Sequence, residues 1–239
     1  MRFSRIWGTV LMSSLAALLL WTTPSAARKH KEGAYAPRID PAEFVSKVDN
    51  PYFPLVPGTR FVYHEIEDGK TTVNEVRVLP ETKVIMGVTC TVVHDVVKDG
   101  DRVKEDTYDW YAQDKQGNVW YFGEDTREFL DKGIIRTEGS WEAGVDRNQP
   151  GILMPDHPAP GAPYRQEYGP GHAEDMGQVV ALNETVKVPF GSFSGCVRTK
   201  EWSLLEAGTD KKWYAKGVGF IREEAANKAI VTLVSVTQP

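Results

Sequence analysis

The chain has 239 residues, 41% hydrophobic and 10% aromatic, with 28 Lys and Arg against 33 Asp and Glu and a formal net charge of −5. That length allows one large domain or two small ones, and no composition shift or fixed-period repeat marks a second. The acidic balance argues against nucleic acid, whose phosphates demand a basic face, and against anionic membrane surfaces.

Arg2 and Arg5 precede an apolar run from Val10 to Trp21 broken only by Ser13 and Ser14, and Pro24-Ser25-Ala26-Ala27 offers small residues for cleavage. This predicts a secretory signal peptide over 1–27, because the run is well short of the ~18 residues of a membrane span. No Cys follows it, which disfavours a lipid anchor. Cleavage after Ala27 leaves 26 basic against 33 acidic residues, a net charge of −7, in a periplasmic or secreted protein without a transmembrane segment. The new end would read Arg28-Lys29-His30. An amine with His at position three can wrap copper(II) or nickel(II) in a square-planar site. The plainer reading is a basic tail within a mobile leader over 28–38.

Asp40-Pro41-Ala42-Glu43 predicts a short helix, with Asp40 as cap and Pro41 at the first helical position. The prolines of Asn50-Pro51-Tyr52-Phe53-Pro54-Leu55-Val56-Pro57-Gly58 force an extended run, with Tyr52, Phe53 and Leu55 on the core. Strands are then predicted at hairpin spacing: Arg60–Glu67, Thr71–Leu79, Val88–Val97, Arg102–Tyr111, Asn118–Phe122, Arg127–Leu130 and Ile134–Glu138. Asp68-Gly69 and Asp99-Gly100 are strong hairpin signals. Residues 143–177 interrupt this rhythm with six prolines and six glycines. A structureless segment of that length is functional or disordered more often than not. Strands return at Gln178–Val188, Cys196–Leu205, Lys212–Ala215, Val218–Glu224 and Ala229–Val236. The expected fold is mainly β: one domain over 39–239, an antiparallel open or half barrel with one short N-terminal helix. A two-sheet sandwich is the alternative.

Cys90 and Cys196 in an oxidising compartment predict a disulfide. In segment 143–177, Tyr164, Arg165, Tyr168 and His172 are candidate ligand anchors. His157, His172, Glu174 and Asp175 are candidate metal ligands for zinc, or for copper with Met154 and Met176, although their spacing matches no strong motif. Alternation puts His64 with Val62 and Ile66, and His94 with Val92 and Val96, on faces expected to be apolar. Eight rings between Tyr108 and Trp141 read as core, with pocket lining or sugar stacking as alternatives. The acids Glu105, Asp106, Asp109, Asp114, Glu124, Asp125, Glu128 and Asp131 read as a solvated face, since no calcium-loop spacing is present.

The motifs Asn50-Pro51-Tyr52-Phe53-Pro54-Leu55, Asp109-Trp110-Tyr111-Ala112-Gln113-Asp114 and Gly117-Asn118-Val119-Trp120-Tyr121-Phe122-Gly123-Glu124 resemble an uncharacterised family of exported bacterial all-β proteins. Val188-Pro189-Phe190-Gly191-Ser192-Phe193 and Tyr214-Ala215-Lys216-Gly217-Val218-Gly219 more loosely resemble periplasmic half-barrel proteins of the lipoprotein-carrier type. The resemblance implies fold and compartment and transfers no catalytic residue. Three functions are carried forward. The leading one is a protein binding a small apolar or amphipathic molecule on a curved sheet capped by 143–177. The others are a metal-assisted hydrolase using His157 and His172 with nearby acids, and an envelope structural or assembly protein using an open sheet edge.

Overall fold

The structure, a computed structural model, describes residues Tyr35–Pro239. The expected signal peptide and the Arg28-Lys29-His30 end lie outside the described residues.

The chain from Arg60 onward is a long antiparallel meander. Strands β2 (Arg60–Glu67), β3 (Lys70–Ile85), β4 (Val88–Asp99), β5 (Arg102–Asp114) and β6 (Val119–Phe129) follow one another as neighbours. So do β12 (Asp175–Val188), β13 (Gly191–Ser203), β14 (Asp210–Ala215), β15 (Gly219–Glu224) and β16 (Ile230–Thr237). The last strand, β16, pairs with β2 and joins the two runs into one sheet. Turn chemistry sets the register. Asp68 (φ 48°) and Gly69 (φ 76°) are both left-handed, as a two-residue hairpin on twisted strands requires. Met86 (φ 50°) and Gly87 (φ 80°) do the same between β3 and β4. β3 therefore runs to Ile85, past the Leu79 end expected from sequence. Pro80 is tolerated because the β3–β4 register is irregular between Val78 and Thr82.

Segment 143–177 is not structureless. It holds β9 (Gln149–Met154), β10 (Tyr164–Arg165) and β11 (Glu167–Tyr168). β9 extends the sheet beyond β6, β11 pairs with β9, and β10 pairs with β12. The two ends of the sheet thus approach each other, and the barrel is nearly closed. Its edges are two-residue strands, short enough to blunt pairing with another chain. Three further short strands, β1 (Phe44–Val45), β7 (Ile135–Arg136) and β8 (Trp141–Glu142), lie along β5 and β6.

The expected N-terminal helix is only a 3₁₀ turn over Pro41–Glu43. Asp40 does cap it, accepting from the Ala42 N–H at 3.1 Å, but Phe44 then leaves for the sheet. Pairing with β5 and packing of the Phe44 ring against Phe122 at 5.6 Å outweigh a fourth helical residue. The Asn50–Pro57 run is pinned as predicted: Phe53 and Leu55 are buried, and the Phe53 ring meets Tyr111 at 5.3 Å. Gln113 Oε1 accepts from the Asp49 and Asn50 backbone N–H groups, and Asn50 Nδ2 donates to the carbonyls of Gly117 and Pro155. Asp114 accepts from the Asn118 backbone and side chain and from Trp120 Nε1. The residues of the family-like motifs therefore form one interlocked corner of the barrel.

The expected disulfide is absent: Cys90 and Cys196 are buried free thiols. β4 and β13 stand six places apart in the sheet order, and each sulfur turns to a local carbonyl, Val88 or Phe193, at 3.7 Å. Burial pushes the Cys90 thiol up to about 12, so it is unreactive at neutral pH. Both thiols are predicted to react with a thiol reagent only after unfolding, and a reductant should leave the melting temperature unchanged. A non-reducing band shift would contradict this. At β6, Gly123 has φ 131°, and a Cβ there would lie 2.2 Å from the Trp141 carbonyl oxygen. Gly123→Ala is expected to cost more than about 2 kcal/mol in a denaturant titration, because the obstacle is backbone.

Candidate functional site

The inner face of the barrel is not apolar throughout. Along β2 the inward residues are Phe61, Tyr63 and Glu65; along β3 Asn74, Val76 and Val78; along β4 Val93, Asp95 and Val97; all are buried. β5 adds Glu105, Thr107 and Asp109, β6 adds Glu124 and Thr126, β13 adds Thr199 and Glu201, and β14 and β15 add Lys212 and Glu223. Cross-strand register confirms that these share one face: Asp95 opposes Thr107, Thr107 opposes Thr126, Asp109 opposes Glu124, and Lys212 opposes Glu223. Phe53, Phe61, Phe220 and Leu233 fill the lumen alongside the belt. A belt of buried carboxyls thus lies within the barrel.

This divides the acids that sequence treated together. Asp106, Asp125 and Asp131 face outward, while Glu105, Asp109 and Glu124 face inward, and half-buried Glu128, opposite Glu105 in register, shares their face. It also reverses the expectation for the histidines. His64 sits on the outer face of β2 beside exposed Ile66. His94 is outside too, stacked on Tyr108 at 4.3 Å and bonded to Asp106 at 2.8 Å. Of the eight rings, Trp110, Tyr111, Tyr121, Phe122 and Trp141 are buried.

Two linked clusters make up the belt. In the first, the Tyr121 hydroxyl lies 2.6 Å from Asp109 Oδ1 and 2.9 Å from Glu124 Oε2. A phenol has one hydrogen to donate. The second contact therefore requires a proton on one of the two carboxyls. Beside them Asp95 is raised well above the usual carboxylate range by burial, with Asp109 and Glu105 adding to the shift. Asn74 Nδ2 donates to Asp95 Oδ2 at 3.3 Å; Asp95 Oδ1 has no hydrogen-bond partner.

The second cluster is centred on Lys212. Its ammonium lies 2.9 Å from Glu201 Oε2, and Glu201 Oε1 accepts from Thr199 at 2.7 Å and Tyr214 at 3.1 Å. Burial opposes ionisation of Glu201, but Lys212 and these hydroxyls hold its carboxyl below the ordinary value. Glu223 is pushed up to about 8, chiefly by burial, against the pull of Lys212. One of its oxygens, Oε2, has no partner. Glu65, two strands further on, is raised to about 6 by burial and by Glu67.

A cavity of about 30 Å³ opens beside Lys212, lined by Tyr121, Leu153, Gln166, Glu167, Asp175, Glu201 and Lys212. Segment 143–177 supplies four of these lining residues, so the region picked out in sequence borders the belt. Gln166 and Tyr164 reach inward over Gly177, where a Cβ would lie 2.8 Å from the Tyr164 ring and 3.0 Å from the Gln166 amide. The Gln166 Nε2 and Tyr164 hydroxyl are both buried without a partner. Burial raises the Tyr164 hydroxyl, and the nearby Glu201 charge adds to it.

Of the other predicted residues, Asp175 lines the cavity, while Arg165, Tyr168, His157, His172 and Glu174 do not. Arg165 pairs with Glu174 at 3.2 Å and covers the Tyr168 ring at 4.9 Å. Tyr168 also meets Tyr35, whose hydroxyl donates to the Pro150 carbonyl at 3.1 Å. His172 is exposed over Gly169, and His157 is exposed beside Asp156. His157, His172, Glu174 and Asp175 are not gathered into one ligand set: among the described residues no group of three or more His, Cys, Asp or Glu is placed to hold a metal. Sequence reasoning missed Gln166, Glu167, Glu201, Lys212 and Glu223. The available signal was phase: Asp95 falls in step with Val93 and Val97, and Glu65 with Phe61 and Tyr63, where a solvated acid would not.

No family model and no curated protein sequence matches the chain. Among solved structures, the chain is similar to a "putative lipoprotein" from Parabacteroides distasonis ATCC 8503, at 12% identity and a TM-score of 0.38 over 79% of this chain and 99% of that one. A likeness that weak carries no argument about function.

The belt makes stability depend on pH. Glu65, Glu223 and Asp95 hold protons in the folded state that the unfolded chain releases above its ordinary carboxylate value, about 4.5 for Glu. The folded state therefore binds more protons between pH 4.5 and 8, and stability falls as pH rises through that window. The fall should amount to a few kcal/mol, since each tenfold gain in a carboxyl's proton affinity on folding is worth about 1.4 kcal/mol. Glu223→Gln should flatten the part between pH 6 and 8. Melting temperatures across pH 5 to 8 check this, and a rise with pH would contradict the belt's ionisation scheme.

Proposed function

We propose that this is an exported binding protein that holds a small amphipathic molecule in its barrel. The polar end would enter the acid-rich belt at the cavity beside Lys212, and segment 143–177 would close over it. The observation that carries this reading is a set of buried polar groups left without partners at that wall: the Tyr164 hydroxyl, Gln166 Nε2 and Glu223 Oε2. An unpaired buried polar group costs about 1–3 kcal/mol. A ligand group that bonds them would recover that cost, which is how a pre-formed site gains affinity. The cavity of about 30 Å³ admits a water-sized polar group, so only the ligand's head would be held there.

Export follows from the signal-like N-terminus, and agrees with the family-like motifs that form the Asn50–Gln113–Asp114 corner. Tyr164 remains a proposed anchor; Arg165, Tyr168 and His172 are proposed to brace the segment from outside.

The test is native mass spectrometry of the exported, untagged protein beside the Tyr164→Phe/Gln166→Leu double variant. The wild type should carry a co-purified organic mass that the variant has lost. The variant, freed of two orphaned groups, should be more stable than the ligand-free wild type by about 1–3 kcal/mol. A variant that is less stable and retains the same mass would overturn the reading.

A further inference from the structure

We propose that the barrel carries a second binding site at the mouth opposite Lys212, and that it takes an uncharged, mainly hydrocarbon molecule bearing one hydroxyl or carbonyl group. The cavity there measures about 360 Å³, within the ~300–1,000 Å³ of small-molecule sites. It shares no lining residue with the cavity beside Lys212. Asp175 at the start of β12, Glu201 late in β13 and Lys212 early in β14 mark one end of the antiparallel sheet. Phe190 in the β12–β13 turn, Val218 in the β14–β15 turn and Phe61 at the start of β2 mark the other. The second site therefore stands whatever occupies the first.

The wall is apolar. Pro54, Val56, Phe61, Phe190, Val218 and Val236 make up most of it, and among the described residues no charged side chain lines it. Phe61 and Val236 oppose each other across β2 and β16, so the cavity lies at the end of the inner face. A charged group entering it would lose its water and gain no countercharge, which is heavily unfavourable. A hydrocarbon would instead cover Val56 and Phe190, which are 50% and 42% exposed, and removing such surface from water drives association. One lining residue asks for a polar atom. Thr59 is 4% exposed, and its hydroxyl has no hydrogen-bond partner. A hydroxyl both donates and accepts, so a single hydroxyl or carbonyl on the ligand would satisfy it. The other polar side chain of the wall, Gln238, is exposed, which leaves Thr59 as the buried anchor.

Backbone hydrogen bonds hold this wall in place. The Gly217 N–H donates to the Pro51 carbonyl at 2.7 Å and ties the β14–β15 turn to the extended N-terminal run. The Phe190 N–H donates to the Leu233 carbonyl at 3.1 Å, and the Phe190 ring stacks on Phe193 at 6.2 Å. The Thr59 N–H donates to the Val56 carbonyl at 3.0 Å, and the Thr59 carbonyl accepts from the Val78 N–H at 2.9 Å. Both backbone groups of Thr59 are thus paired, and only its hydroxyl is left over. A ligand entering a wall already in place loses little affinity to ordering it.

The test is calorimetric titration of the exported protein with three probes of equal chain length: 1-octanol, octanoate and octylammonium. Octanol should bind, and the two charged probes should bind about tenfold more weakly or worse. Val56→Asp and Phe190→Ala, both at exposed positions and checked for folding by circular dichroism, should each weaken octanol about tenfold or more. Thr59→Val keeps the shape and removes the unpartnered hydroxyl. It should weaken octanol about two- to tenfold without lowering the melting temperature. Asp131→Asn, on the exposed outer face, should leave octanol binding unchanged. Octanoate or octylammonium binding as tightly as octanol would overturn the uncharged class. Octanol binding that survives Val56→Asp and Phe190→Ala, or that Asp131→Asn weakens equally, would overturn the cavity as its site. Binding untouched by Thr59→Val would overturn the hydroxyl anchor, and no octanol binding would overturn the site altogether.

Discussion

Carboxyl groups buried on the inner wall of a β-barrel are the constraint on which the rest of this structure turns. Taking one ionised carboxylate out of water costs several kcal/mol unless a proton or a countercharge comes with it. The chain uses both devices. Tyr121 bridges Asp109 and Glu124 through contacts that require a carboxyl proton, and Glu201 is ionised against Lys212 with Thr199 and Tyr214 filling its other oxygen. Glu223 and Asp95 are only partly satisfied. A fold selected for stability alone would fill these positions with Val or Leu, as it does at Val76, Val78 and Leu233. Polar groups kept at such cost are where function is most economically sought.

The scaffold that holds the belt is rigid for reasons visible in its hydrogen bonds. The corner formed by Asn50, Gln113, Asp114, Asn118 and Trp120 ties the extended N-terminal run to the β5–β6 hairpin and to the end of β9. Aromatic contacts from Phe53 to Tyr111, and from Tyr111 to Tyr121 at 4.8 Å, carry that anchorage into the lumen. Tyr121 then sits both in this stack and between two belt acids. Geometry at the site is thus set by packing at the corner.

Much of the fold was legible residue by residue. Asp68-Gly69 marked a hairpin because both residues accept positive φ, and Phe53 and Leu55 marked a core contact because prolines fixed the run that carries them. The strand over 175–188 was legible as a strand but not in its faces. Irregularities between Val179 and Val186, with Asn183 at φ 60°, shift which residues point inward. No alternation rule anticipates a bulge. Segment 143–177 concealed three strands because its prolines and glycines mask the period-two pattern, while pairing with β6 and β12 supplies the stabilisation that local propensity does not.

The sequence by itself determined the fold class, the hairpin order and the segment that borders the site, because turn chemistry and alternation are local properties. Tertiary structure decided which side of each strand became the interior. Alternation distinguishes two faces without saying which is inward, and here the face bearing Glu65, Asp95 and Glu105 closed on itself while His64 and His94 were left outside. Tertiary structure also kept Cys90 and Cys196 apart, since pairing two thiols depends on the distance between β4 and β13 and not on their number. It brought Tyr121 and Leu153 to the same cavity as Glu201 and Lys212, because β6 and β9 come near β13 and β14 only when the sheet curls until its two ends approach each other.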